Sequence, residues 1–139
     1  MTLEIGPTDD VATCLELRRL VFMVEQDVSE EEERDGMDDQ AQHILAQRDG
    51  RPVGCARILI DSGKGKIGRV CVLSDQRGTG LGKALIEACL ADLTSLGVTR
   101  AVLGAQTHAL GFYEALGFTA YGDQFDDAGI PHQMMERSL

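Results

Sequence analysis

Val70-Cys71-Val72-Leu73-Ser74-Asp75-Gln76-Arg77-Gly78-Thr79-Gly80-Leu81-Gly82-Lys83, followed by the apolar run from Ala84 to Leu96, is the stretch that decides the fold. It reads as a short β-branched strand, a tight glycine loop and an amphipathic helix. Leu81, Leu85, Ala88, Cys89, Leu93 and Leu96 recur at helical spacing, with Ala91 partly in step, and Gly97 stops the run. Glycines on alternate positions, Gly78, Gly80 and Gly82, exceed what a hairpin needs. They let backbone N–H groups turn inward at the positive end of a helix, which makes an anion site.

Spacing narrows the anion. A P-loop requires Gly-x4-Gly-Lys-Ser/Thr, but Ala84 follows Gly82-Lys83 and Arg77 stands at the first glycine position. The dinucleotide pattern Gly-x-Gly-x-x-Gly fails too, because Lys83 lies three after Gly80 and Leu85 three after Gly82. What remains is Arg77-x-x-Gly80-x-Gly82. It resembles the Arg/Gln-x-x-Gly-x-Gly/Ala pyrophosphate loop of the GCN5-related N-acetyltransferases, which bind acetyl-CoA.

Outward from the loop, the 139 residues suffice for one domain, 1–139, with a sizeable core. Hydrophobic content of 43% with 26% charged is that of an ordinary globular chain. A net charge of −10 offers no basic stripe for nucleic acid and favours cationic partners such as amines. Cys14, Cys55, Cys71 and Cys89 lie scattered in apolar stretches without a C-x-x-C pair, as buried reduced thiols of a cytoplasmic protein rather than a disulfide frame or metal site. No charged-then-apolar leader opens the sequence and no run approaches membrane-spanning length, so neither secretion nor a membrane partner is expected.

In chain order, Thr2 to Ile5 reads as a strand ending at Gly6-Pro7. Thr8 then caps a helix that runs to about Gln26 with Val11, Cys14, Leu15, Arg18, Val21 and Phe22 on one side. Glu30 to Arg34 reads as a solvated short helix and turn. Strands follow at 42–47, 53–60 and 66–73, the first two joined by the turn chemistry of Asp49-Gly50. After the central helix come an apolar strand at 101–105, a helix from Thr107 through Leu116, and strands at 118–121 and 131–136 joined by a loop from Gly122 to Ile130. This order predicts an α/β fold with a mixed sheet.

The same order matches the acetyltransferase fold over essentially the whole chain. The resemblance implies a mostly antiparallel central sheet of about six or seven strands, helices on both faces, and a strand splay at the acetyl-CoA site. A second motif supports it: Gln106-Thr107-His108-Ala109-Leu110-Gly111-Phe112-Tyr113-Glu114-Ala115-Leu116-Gly117-Phe118 is similar to the family's Asn-x-x-Ala-x-x-Phe-Tyr-x-x-x-Gly-Phe, with Gln106 in the asparagine position. Val21 to Gln26, Gln42 to Leu45, Ile67 to Val70 and Asp127 to His132 resemble the ElaA-type branch, which lends no settled substrate.

The resemblance implies an enzyme that transfers acetyl from acetyl-CoA to a primary amine by direct attack in a ternary complex, without a metal. Cofactor contacts then fall to Val70, Cys71 and Val72 on a bulged strand, to Arg77, Gly78, Thr79, Gly80, Leu81, Gly82 and Lys83 in the loop, and to Gln106 and Phe112. A backbone N–H of Cys71 or Val72 would point at the developing oxyanion. Tyr113 is the proton donor to the leaving thiolate. The base is less determined: Glu25 is the first choice, His43 and His132 follow, and Arg69 stands at a position where many relatives carry a carboxylate, so His43, Arg69 and His132 are grouped as substrate-side residues. A non-catalytic acyl-CoA-binding or sensor module is the rival reading. Relatives often dimerise, which leaves a homodimer open, although no exposed apolar stripe marks a face for it.

Overall fold

The computed structural model describes residues 2–139. Seven strands form one sheet in the order β1-β2-β3-β4-β5-β7-β6. They are β1 (Leu3–Thr8), β2 (Gln42–Arg48), β3 (Arg51–Asp61), β4 (Lys64–Val72), β5 (Arg100–Gln106), β6 (Thr119–Asp127) and β7 (Ile130–Ser138). Only β4 and β5 run parallel, joined by the crossover helix α3 (Leu81–Ser95); every other neighbouring pair is antiparallel. Three hairpins turn on two residues with positive φ, Asp49-Gly50, Ser62-Gly63 and Ala128-Gly129, matching the strand twist.

The crossover helix packs its apolar stripe on one face of the sheet. Leu81, Leu85, Ile86, Cys89, Leu90 and Leu93 are buried against Ile44, Val53, Ile58, Ile67 and Leu103, while Leu96, expected on that stripe, is about half exposed at 48%. The short helix α4 (Leu110–Glu114) lies on the same side, with Tyr113 and Leu116 against this core. On the opposite face, α1 (Val11–Arg18) buries Cys14, Leu17 and, beyond its end, Val21 against Leu45, Cys55 and Cys71. That helix starts two residues later than expected: Asp10, not Thr8, accepts from the Thr13 amide at 3.2 Å and its hydroxyl at 2.6 Å. It then widens into a π-helical turn over Arg19–Glu25, whose last bond runs from the Gln26 amide to Val21 O.

Further stretches depart from the sequence expectation. The first strand does not end at Gly6-Pro7 but pairs through Thr8 with His43, and the helix expected from Thr107 through Leu116 is α-helical over Leu110–Glu114 after a 3₁₀ turn. The long loop from Gly122 to Ile130 is mostly strand: β6 continues to Asp127 and only Ala128-Gly129 turns. The acidic segment is not solvated throughout. Its one-turn helix α2 (Glu30–Glu33) is closed by a Ser29–Glu32 capping box, but Glu33 is buried and bonded to the equally buried Arg18. Arg18 also reaches Asp38 at 2.7 Å. Arg57 from β3 holds Asp35 with both nitrogens at 2.8 Å and touches Asp38 at 3.3 Å. Arg69 from β4 closes the set on Asp35 at 3.3 Å.

Three guanidinium groups are thus matched by three carboxylates, so the segment docks on the sheet without burying a net charge. The Arg57 fork holds the Asp35 carboxyl well below its usual range, against the upward push of burial. Asp38 is also lowered, because Arg18 and Arg57 outweigh its burial. Depressed carboxylates stabilise the fold fully above their unfolded pKa near 3.9 and lose that contribution as pH falls towards the folded value. The melting temperature therefore declines as pH drops from about 5 to 2, and Asp35→Asn makes that decline shallower. A melting series in which wild type and variant share one slope would contradict the role given to Asp35.

Candidate active site

Parallel pairing of β4 with β5 runs from Lys64↔Arg100 to Ile67↔Leu103 and stops there. Beyond it the strands part. The cause lies on the other edge of β4, where the register with β3 shifts between Cys55↔Cys71 and Arg57↔Gly68, leaving an extra residue on β4. Arg69, inside this bulge, has φ +50°, a left-handed conformation that an unbranched L-residue adopts at a cost of order 1–3 kcal/mol. Its guanidinium holds the geometry by donating to Glu33 O at 3.1 Å as well as to Asp35.

The parting opens a cavity of about 1070 Å³ bounded by β4, β5, β7, the π-helical turn and the tip of α4. One wall is an unpaired strand edge. Leu73 N donates to Val53 O at 2.9 Å, and alternate residues of a strand aim their amides at opposite edges, so the Val72 amide faces the opening and the Cys71 amide faces β3. Cys71 belongs to this wall, while its buried thiol packs under α1 and lies 3.3 Å from Cys55 Sγ.

The glycine loop ends this wall. Gly78 (φ +77°) and Gly80 (φ +86°) take conformations that side chains disfavour, and Gly80 caps α3 in place of a side-chain acceptor. The first intrahelical bond of α3 at this end comes from Ala84 N to Gly80 O, so the preceding amides of Leu81, Gly82 and Lys83 are available to an anion. A Cβ on Gly82 would lie 3.5 Å from Phe112 Cζ, which places that ring beside the loop. Thr79 is spent on Gln76 O at 2.6 Å. Lys83 is exposed and, among the described residues, makes no ion pair. Arg77 instead bonds Glu25 with both nitrogens and Val72 O at 3.0 Å, bracing the π-helical turn against the loop.

That brace changes the standing of Glu25: the Arg77 fork lowers its pKa, which makes it a weaker proton acceptor. Tyr113 lines the cavity between the edges of Phe112 and Phe118, with centroids at 5.0 and 5.9 Å. Burial, with a smaller contribution from Cys89, pushes its phenol up to about 12. Gln106 is fixed from both sides, donating to Gln26 Oε1 at 3.3 Å and accepting from His108 Nε2 at 2.7 Å. His132 faces Gln106 across β5 and β7 and donates from Nδ1 to Ile130 O at 2.7 Å. Since a carbonyl only accepts, Nε2 is the nitrogen left with a lone pair.

His43 is set apart from these. It is buried on β2, donates from Nε2 to Asp38 O at 2.9 Å, and does not line the cavity. Arg69 lines it, but its guanidinium is engaged by the acidic segment. Gln26 and Phe125 were given no role from sequence and belong to the cavity wall. Gln26 stands in the Val21–Gln26 stretch already singled out, whereas Phe125 was hidden in the supposed loop. No described helix is long and apolar enough to cross a membrane, and no group of metal-ligating side chains occurs among the described residues.

Comparison with known proteins agrees with this geometry. The family described as Acetyltransferase (GNAT) domain matches residues 16–139. The chain is 38% identical over 122 residues to the N-acetyltransferase YjcF of Bacillus subtilis (86% of this chain, 87% of that one). It is 35% identical over 130 residues to protein ElaA of Escherichia coli (90% and 85%). The ElaA crystal structure superposes with a TM-score of 0.86 over 98% of this chain and 99% of that one, at 31% identity. An acyl-CoA N-acyltransferase from Pseudomonas aeruginosa gives 0.88 at 34% identity, over 98% and 99%. Similar in fold alone, at 17% identity and a TM-score of 0.77 over 97% and 96%, is an aminoglycoside 6'-N-acetyltransferase complexed with coenzyme A.

Gly80→Val is expected to weaken coenzyme A binding about tenfold or more, because a β-branched residue at this φ forces the loop amides to move. Calorimetry on the folded variant measures it. An unchanged dissociation constant would remove the loop from anion binding.

Proposed function

Because the chain belongs to the GNAT acetyltransferase family, we propose that it transfers acetyl from acetyl-CoA directly to a primary amine, both substrates sharing the cavity between β4 and β5. The observation that supports this most is the parted strand edge: an outward-facing Val72 amide and the half-buried Tyr113 line one opening, and the glycine loop with its free helix amides follows directly on that edge. Its residues fit an extended pantetheine arm, which can add along β4 as a strand would, with the pyrophosphate on the amides of Leu81, Gly82 and Lys83. Acetyl-CoA held in this way supplies an acetyl group already activated as a thioester.

The chain's own contributions follow from the geometry. The Val72 amide donates to the carbonyl oxygen and stabilises the negative charge that grows there as the amine attacks. Tyr113, neutral throughout the physiological range, donates a hydrogen bond to the sulfur. With its phenol near 12 and a free thiol near 8.5, full transfer of its proton is uphill, so it stabilises the thiolate chiefly as a donor. As the carbon–sulfur bond breaks, the proton shed by the newly acylated nitrogen goes to that thiolate, and coenzyme A leaves as the thiol. The amine must arrive without its extra proton. We assign that proton to Nε2 of His132, whose tautomer leaves the lone pair free, rather than to Glu25, which Arg77 keeps ionised and engaged. Gln106, clamped by Gln26 and His108, fixes the end of β5 beside the attack site.

Two measurements test this. Calorimetry should show acetyl-CoA binding, and a thiol-release assay should show turnover with a primary amine; a folded protein that binds no acetyl-CoA, or binds it and turns over no amine, contradicts the proposal. Tyr113→Phe, which removes one hydrogen-bond donor to the developing thiolate, should lower turnover roughly 10²–10³-fold with acetyl-CoA affinity retained. Since the Tyr113 pKa is raised to about 12, the wild-type rate should show no descending limb between about pH 7 and 10.

A further inference from the structure

Resting on the acetyl-transfer reading above, we infer that the acceptor is a primary amine on a flat apolar body with no carboxylate beside the amine: an arylalkylamine by chemical class. Where β4 and β5 part, the next residue on each strand is a glycine, Gly68 and Gly104. Nothing lies within 4 Å of where a Gly68 side chain would begin. Over Gly104 the same position is met at 3.4 Å by Phe125 Cζ and at 3.6 Å by Met134 Sδ. The cavity floor is therefore a slot of bare backbone, walled on the β5 side by an aromatic ring and a thioether.

That ring is a platform. Phe125 stacks on the His132 imidazole with centroids 5.7 Å apart and planes at 28°, yet remains 39% exposed. A flat apolar body laid against it covers surface otherwise left to water, and such aromatic pairing adds to simple burial. Leu59 extends the apolar lining. The nitrogen proposed to take the proton belongs to this same stack, so an amine one short chain away from a ring would reach it.

Charge selects against a neighbouring carboxylate. Every arginine lining the cavity is already engaged: Arg57 by Asp35, Arg69 by Asp35 and Glu33 O, and Arg77 by Glu25. Asp127 and Glu32 also line it and have no cationic partner among the described residues, which favours an ammonium. Lys66 is the exception, a lining cation without an ion pair. It stands on β4 two residues before Gly68, and among the lining charges outside the arginine pairs it is outnumbered by Asp127 and Glu32. A polyamine fits poorly, because its further charges would lose water over Leu59, Met134 and Phe125.

The test compares, at saturating acetyl-CoA, kcat/KM for 2-phenylethylamine, L-phenylalanine, propylamine and spermidine by thiol release. 2-Phenylethylamine should exceed each of the others by about tenfold or more. Phe125→Ala, at a partly exposed position, should raise its KM about tenfold while the acetyl-CoA dissociation constant changes less than about twofold. Equal or faster turnover of L-phenylalanine, propylamine or spermidine overturns the inference, as does an unchanged KM in the variant. Acetyl-CoA binding with no release from any of the four overturns the arylalkylamine class and leaves the cofactor site standing. Absence of acetyl-CoA binding overturns the reading beneath it.

Discussion

One residue in a left-handed backbone conformation holds the working half of this molecule open. Arg69, at φ +50°, sits in the β4 bulge, just beyond Ile67, the last residue of β4 that pairs with β5. A bulge without a tether could relax into a regular ladder, because unpaired strand edges are costly when buried and prone to re-pair. Here the strained residue is also the bridge. Its guanidinium bonds the backbone of the acidic segment and Asp35, which Arg57 grips in turn, so relaxing the bulge would break a paired network. The acidic run thus stabilises the open strand edge.

Two chemical environments meet at that edge. On the α3 side an apolar core presses on Tyr113 and raises its phenol, making it a fixed neutral donor. On the α1 side the open face carries the charged network, the His132–Phe125 stack and the clamped Gln106. Leaving-group chemistry faces a dry wall and amine chemistry a polar one. The separation follows from the sheet itself, since alternate residues of each strand serve opposite faces.

Much of this was legible in the sequence, and the misses have physical causes. The glycine loop and its helix could be read because glycine at Gly78 and Gly80 answers a backbone demand that no other residue meets easily, and helical periodicity marks the buried stripe. The fold class followed from element order, which the family match and similar structures show. Glu33 was misread because an acidic run looks solvated, and Asp35 and Asp38 drew no notice; the arginines that engage them, Arg18, Arg57 and Arg69, stand up to tens of residues away. Phe125 was missed because Ala128-Gly129 is a weak turn signal: alanine rarely takes positive φ, so the hairpin looked like a long loop. The competition for Arg77 was equally invisible, since Glu25 reaches it from an element remote in sequence.

A crystal structure with an unreactive thioether analogue of acetyl-CoA tests the central claim most directly. The account predicts the pantetheine arm along β4 opposite Val72, its acetyl oxygen within hydrogen-bond distance of the Val72 amide, and the pyrophosphate on the amides of Leu81 to Lys83. An analogue bound elsewhere, or a β4 edge that closes onto β5 beyond Ile67, would contradict it.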